Sequence, residues 1–255
     1  IVAMPKNVID MSGKTVLVTG GSRGLGRAMA LGFAEAGADV AIASRKIESC
    51  LETVAEIEKH GVKGYAQACH VGDWEQVTAL ADAVHAAFGK IDVLINNAGM
   101  SPLYDRPVDI SEALYDKVMD VNLKGPFRLC AYVGEKMIAD GGGAIINISS
   151  IAAIRPRKDI ITYSAAKAGL NAMTEGMANA MGPTVRVNCI MPGPFLTDIS
   201  KAWDMAAFKA RAEERIALKR GGEADEIVGA ALYLASDQAS YTTGAILRID
   251  GGSVY

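Results

Sequence analysis

Apolar positions along this chain fall into short β-branched runs that alternate with longer stretches of helical period. Thr15–Val18 is the first run, and a glycine-rich turn leads from it into a helical pattern over Leu25–Ala36. Val40–Ala43 predicts a second strand and Ile47–Lys59 a second helix. The alternation continues with Gly64–Cys69 and Trp74–Phe88, then Asp92–Ile95 and Asn122–Ala139. Ala144–Ile148 precedes a helix at Tyr163–Ala180, and Val185–Asn188 precedes one at Asp225–Ala235, before a last strand at Ile246–Ile249. Strands separated by helices need parallel crossovers, and strand runs that are apolar on both faces need helices on both sides. The expected fold is therefore α/β: a doubly wound parallel sheet of seven strands, forming one domain over residues 1–255. Only residues 192–221 show no clear pattern. They follow the sixth strand, on the edge where such sheets bind ligands, and so read as a substrate loop.

Composition narrows the function classes. The 255 residues are 50% apolar and 22% charged, with a formal net charge of −3 and both signs mixed along the chain, so there is no basic footprint for nucleic acid or an anionic membrane. No run approaches the ~18 apolar residues of a membrane span. Ile1–Lys6 is too short and too soon interrupted for a signal peptide. Cys50, Cys69, Cys130 and Cys189 are far apart and read as small buried hydrophobes; His60, His70 and His85 show no metal-ligand grouping. A cytoplasmic protein with a small-molecule substrate and no metal is expected.

The turn after the first strand, Thr19-Gly20-Gly21-Ser22-Arg23-Gly24-Leu25-Gly26, carries the first chemistry. Gly20 can adopt the backbone angles of a tight turn, while Gly24 and Gly26 let backbone and helix approach a ligand and the sheet. The free N–H groups that open the following helix suit a pyrophosphate, so the fold is expected to be of Rossmann type. No Gly-Lys-Ser/Thr closes the turn, which excludes a P-loop. An NAD site ends its second strand with an acid that holds the ribose 2′-OH. This chain has Ser44-Arg45-Lys46 there, and Asp39 stands at the strand's start. Together with Arg23, two guanidinium groups and a hydroxyl suit a 2′-phosphate, which favours NADP(H) over NAD(H). The plainer alternative is that Arg45 and Lys46 merely open a solvated helix.

Tyr163 and Lys167 lie four residues apart in a helical pattern and share a face. Ser150 stands thirteen residues before Tyr163, just past an apolar strand run, and Asn96-Asn97-Ala98-Gly99 ends the fourth strand. With these residues in this order the chain resembles the compact, non-extended short-chain dehydrogenases/reductases from about Met11 to Gly252. Thr19–Gly26 matches the family's TGxxxGxG turn, Asn96–Gly99 its NNAG, and Asn122, Ser150, Tyr163 and Lys167 its catalytic tetrad. Pro192-Gly193, Thr197 and Asp250-Gly251-Gly252 complete the pattern.

The resemblance implies an oxidoreductase that interconverts a ketone and a secondary alcohol. Tyr163 would act as general acid/base, Ser150 would bond the substrate oxygen, and Lys167 would hold the nicotinamide ribose. Asn122 would anchor a water that links Lys167 to solvent. Further cofactor contacts would come from His70, Val71, Asn97, Ala98, Gly99, Ser149, Pro192, Gly193, Phe195 and Thr197, beside Ser22 and Leu25 of the glycine turn. An ammonium ~4 Å from the phenol is worth on the order of 4 kcal/mol, enough to bring a tyrosine down by roughly three pH units. The pattern is similar to 3-oxoacyl-thioester reductases and to gluconate-dehydrogenase-like enzymes, so the resemblance leads one to expect either a 3-oxoacyl thioester or a sugar acid or polyol as substrate. Trp203, Phe208, Lys201, Lys209 and Arg211 are the loop residues that would meet it. The resemblance also implies a homotetramer or homodimer, built on the Asn122–Ala139 and Tyr163–Ala180 helices. Met173, Met177 and Met181 read as core or interface, and Asn96 as a strand-end residue bonded to backbone. Departures are His70, where an acid near the adenine is common, and Ala153 in place of a frequent glycine. The rival reading is a non-catalytic NADP-binding sensor on the same fold.

Overall fold

The computed structural model describes residues 9–198, 200 and 203–254. Seven parallel strands form the central sheet in the order β3-β2-β1-β4-β5-β6-β9. They are β1 (Thr15–Thr19), β2 (Asp39–Ser44), β3 (Gly64–Ala68), β4 (Val93–Asn96), β5 (Gly143–Ile148), β6 (Val185–Pro192) and β9 (Ile246–Ile249). The order reverses between β1 and β4, which opens a crevice at the carboxyl edge. Alternation within single strands explains the two-sided cover. Val16 and Val18 of β1 join an apolar cluster with Met29, Phe33 and Leu234, while Leu17 joins the opposite cluster with Leu80, Val133 and Met137. The first cluster packs under α1 (Gly24–Glu35), α2 (Ile47–Ile57) and α8 (Val228–Ala235). The second packs under α3 (Trp74–Phe88), α5 (Gly125–Ala139) and α6 (Ile161–Met181). Met181 is buried in that second cluster, with Met173 and Met177 packed against it.

Two expectations need correction. The helix expected from Asn122 begins ten residues earlier, as α4 (Glu112–Met119) capped by Ser111. A π-turn over Asp120–Lys124 then joins it to α5, so Asn122 sits inside a bulge rather than at a helix start. Its side chain donates to the Val118 carbonyl four residues back, competing with the main-chain ladder at the point where the helix widens. The second correction concerns residues 192–221, which hold a strand and a helix. Here β7 (Phe195–Leu196) pairs with β8 (Gly222–Glu223), and α7 (Met205–Arg215) lies between them. Only Phe208 and Ala212 of α7 are buried, so its apolar stripe is too narrow to show a period among Lys209, Arg211, Glu213, Glu214 and Arg215.

Candidate active site

The glycine turn is built as its spacing suggests. Gly20 has φ +67°, and a Cβ there would lie 2.8 Å from the Asn97 amide nitrogen. A Cβ on Gly26 would run into the Gly20 carbonyl oxygen. Arg23 precedes α1 without a side-chain cap, and no acid stands in the first turn. Those first-turn amides are thus left to an anion. The turn is tied to the end of β4 from two sides. The Asn97 amide donates to the carbonyls of Thr19 (3.0 Å) and Gly20 (3.2 Å). Thr19 Oγ1 in turn accepts from the main-chain N–H groups of Asn97 (3.1 Å) and Ala98 (3.2 Å). Both protons of the Asn97 amide and the Ala98 N–H are therefore spent on the protein, leaving the Asn97 side-chain oxygen and the Gly99 backbone outside these bonds. Thr197 reaches across from the β7 side, with its Cβ 3.6 Å from where a Gly24 Cβ would stand.

β2 finishes at Ser44, whose hydroxyl donates to the Lys46 carbonyl (3.3 Å) and lies 3.0 Å from Cys50 Sγ. Arg23 and Arg45 are exposed, and no ion pair engages either among the described residues. Asp39 is at the opposite end of the strand, where its carboxylate accepts from the Lys63 N–H (2.8 Å). The exposed cations Arg23, Arg45 and Lys46 are of a kind that can pair with a phosphate, while the Ser44 hydroxyl already donates to the Lys46 carbonyl. His70 follows β3, its N–H donating to Gln76 (2.9 Å) and its ring half-exposed beside Gly72. Val71 is buried against Gly125.

The structure brings all four tetrad residues to this edge. Ser150 follows β5; its hydroxyl oxygen accepts from the Ala152 N–H (3.1 Å), and the hydroxyl lies near enough to Tyr163 to favour its ionised form. Tyr163 lies in the first turn of α6, half-buried. Lys167, one turn on, is 3% exposed; its Nζ donates to the Ile148 carbonyl (2.8 Å) and lies 5.7 Å from the Tyr163 ring centre. The Asn122 amide donates to the carbonyls of Met100 (2.9 Å) and Val118 (2.8 Å) and accepts from the Met100 N–H (3.3 Å). A Cβ on Gly99 would stand 3.0 Å from Asn122 Oδ1 and 3.6 Å from Lys167 Nζ, so this glycine keeps the two side chains in reach of the strand end.

The electrostatics differ from the expectation that Lys167 alone poises the tyrosine. Burial pushes Tyr163 above its ordinary value, only partly offset by the Ser150 hydrogen bond. Burial also brings Lys167 down to about 8. Desolvation is thus the largest influence on both groups in the protein alone; the Lys167 ammonium lies over the ring, 5.7 Å from its centre, and is directed to a carbonyl.

Other expected contacts divide. Ser149 is buried and donates to the Lys167 carbonyl (3.2 Å), so it anchors α6 to β5. Gly193 lies against Asp250, and Pro192 and Phe195 are buried at the end of β6 and in β7. Asn96 bonds side chains rather than backbone: it donates to Asn147 Oδ1 (2.9 Å) and Cys130 Sγ (3.2 Å). Phe208 is buried with Ala212 and Ile216, and the partly buried Leu196 and Trp203 pack against them, so the two aromatics help to hold the 192–221 segment together. Lys201 lies outside the described residues. Thr19 and Tyr104 are structural partners of the site that spacing could not reveal; Tyr104 is an isolated loop residue whose partners, Ile161 and Thr162, lie more than fifty positions away.

Comparison with known proteins gives the family and the fold. A family model described as Enoyl-(Acyl carrier protein) reductase matches residues 20–254. The L-rhamnose 1-dehydrogenase (NAD(P)(+)) of Sphingomonas sp. (strain SKA58) is 38% identical over 253 residues, covering 95% of this chain and 96% of its own. A 7α-hydroxysteroid dehydrogenase solved with NADH and 7-oxo glycochenodeoxycholic acid has a TM-score of 0.93 at 31% identity, over 99% of this chain and 98% of its own. The L-sorbose reductase of Gluconobacter frateurii, solved with NADPH and L-sorbose, has a TM-score of 0.90 at 29% identity, over 96% and 98%. The chain belongs to the short-chain dehydrogenase/reductase family, whose members are oxidoreductases of alcohols and ketones.

Proposed function

We propose that the chain is an NADP(H)-dependent enzyme that interconverts a ketone and a secondary alcohol, with Tyr163 as general acid/base. The observation that carries this reading is the convergence of Ser150, Tyr163 and Lys167 at the carboxyl edge of the sheet, with the buried Lys167 Nζ held 5.7 Å from the Tyr163 ring centre by the Ile148 carbonyl. When bound, the nicotinamide supplies or accepts the hydride at the substrate carbon. In reduction, Tyr163 gives its phenolic proton to the carbonyl oxygen, and in oxidation it takes the proton from the alcohol. The Ser150 hydroxyl donates to the same oxygen as negative charge develops on it. Lys167, held by the Ile148 carbonyl, would meet the nicotinamide ribose and return the proton to Tyr163. Both amide protons of Asn122 are already spent, so a relay water at this turn would be held by acceptor oxygens.

The preference for NADP(H) rests on Ser44, Arg45 and Arg23 and on the absence of a carboxylate at the end of β2. The proposed substrate is a sugar acid, polyol or keto sugar, or else a 3-oxoacyl thioester. The rhamnose and sorbose enzymes among the relatives support the first class, and the reductase description of the family model supports the second. Four free, buried cysteines support a reducing, cytoplasmic setting. Assembly as a homodimer or homotetramer through α5 and α6 accounts for Phe127, which is 43% exposed on the outer face of α5.

The test is NADPH consumption with L-sorbose and with acetoacetyl-CoA, and NADP+ reduction with L-rhamnose, in wild type and Tyr163→Phe. Turnover vanishes in the variant while NADPH still binds; turnover that survives overturns the mechanism. An NADPH-binding wild type inert to every substrate class would instead favour a sensor.

A further inference from the structure

Helix α6 places Tyr163 in its first turn, yet its own start is poorly provided for. The N-cap position is Ile160, which has no side-chain oxygen to offer the first-turn amides. The nearest carboxylate in the chain, Asp159, is occupied elsewhere. Arg157 Nε donates to its Oδ1 (3.0 Å) and Arg157 Nη2 pairs with its other oxygen, which holds the Asp159 carboxyl below the usual carboxylate range. The amides are served from another part of the fold. The Tyr104 hydroxyl oxygen accepts from the Ile161 N–H (2.6 Å) and from the Thr162 N–H (3.3 Å). A main-chain bond from the Tyr104 N–H to the Asp159 carbonyl (3.4 Å) closes the contact.

Tyr104 belongs to the segment that leaves β4. That segment begins at Asn97, which holds the glycine turn, and passes Met100, which is bonded in both directions to Asn122. It ends on the helix that carries Tyr163. One stretch of about eight residues thus links the anion-binding turn, Asn122 and the first turn of α6.

We propose that Tyr104 is a positioning residue for Tyr163, its hydroxyl standing in for the missing N-cap of α6 and fixing the first turn relative to Ser150. The reading rests on Tyr163 as the proton donor. Tyr104 touches no reacting atom; it sets where the phenol of its neighbour helix lies.

Tyr104→Phe removes the acceptor and keeps the ring. Losing a helix cap is worth about tenfold in a conformational equilibrium. In the variant, kcat should fall about tenfold with L-sorbose, acetoacetyl-CoA or L-rhamnose as probe, whichever wild type turns over fastest. The Kd for NADPH, measured by fluorescence, should stay unchanged. The solvent deuterium isotope effect on kcat should rise, because proton transfer from a loosened Tyr163 becomes slower. Amide hydrogen exchange at Ile161 and Thr162 should speed up, with the rest of the sheet unaffected. Unchanged exchange at the two amides overturns the proposal, as does unchanged kcat. A fall in kcat that merely tracks the folded fraction, with the isotope effect of wild type, also overturns it. Turnover surviving in Tyr163→Phe overturns the tyrosine's role separately, while the exchange data still read the cap.

Discussion

Lys167 makes a claim about stability as well as chemistry. Its ammonium is 3% exposed, and burial brings it from an ordinary 10.5 to about 8. At ~1.4 kcal/mol for each pH unit, that gap is a folding penalty of about 3 kcal/mol. The folded value is the depressed one, so the sign follows directly. Below pH 8 both states carry the charge and the folded state bears the whole cost. Between pH 8 and 10.5 the folded lysine is neutral while the unfolded one is still charged, so stability rises with pH; above 10.5 neither is charged and the cost is gone. Lys167→Met removes this titration. It also loses the bond to the Ile148 carbonyl, which costs about 1 kcal/mol at every pH and cancels from the slope. Urea unfolding at about pH 7, 8.5 and 10, at one protein concentration, reads the difference. Carrying both proteins in a Tyr163→Phe background removes the neighbouring ionisation. Wild-type lysine should gain on methionine by about 1.4 kcal/mol per pH unit above pH 8. A difference that stays flat over this range would refute the argument that burial dominates Lys167.

The anion sites give two further expectations. Ser44→Asp with Arg45→Ala places a carboxylate where a 2′-phosphate would lie and removes a guanidinium. The ratio of kcat/KM for NADPH over NADH should fall about 10- to 100-fold, and an unchanged ratio would refute the cofactor assignment. Gly26→Ala drives a methyl into the Gly20 carbonyl and the Asn97 amide. Fluorescence titration should show NADPH affinity down at least about tenfold, with a stability loss of about 1–3 kcal/mol in urea; wild-type binding would mean the turn can yield.

The parts legible in the sequence are those where one local rule suffices. The five inner strands were readable because their runs are apolar and buried on both faces, and the glycine turn because Gly20 needs a positive φ. Tyr163 and Lys167 could be paired because a helix fixes the direction of residues four apart. What stayed hidden depends on partners distant in the chain. Asn122 lies in a π-turn made by a side-chain bond that period analysis does not see. Helix α7 has two buried residues and a charged remainder, so its period is lost in its composition. The tyrosine's ionisation could not be taken from Coulomb's law at an assumed distance, because desolvation of both groups is a property of the packed site. Tyr104 is the extreme case, since an isolated loop tyrosine carries no mark of the helix it caps.

The sheet also acts as a partition. Alternate residues of β1 feed two apolar compartments, with α1 and its proposed anion-binding start on one side and α6 with Tyr163, the proposed proton donor, on the other. The supports for the two reacting partners are therefore aligned through the shared strands and the few bonds across their ends, with no common apolar core behind them. Warming that softens the sheet should spoil the angle between cofactor and phenol before it releases either one. Turnover would decline with temperature ahead of cofactor binding, so the working ceiling of such an enzyme is set by registration between its halves rather than by melting.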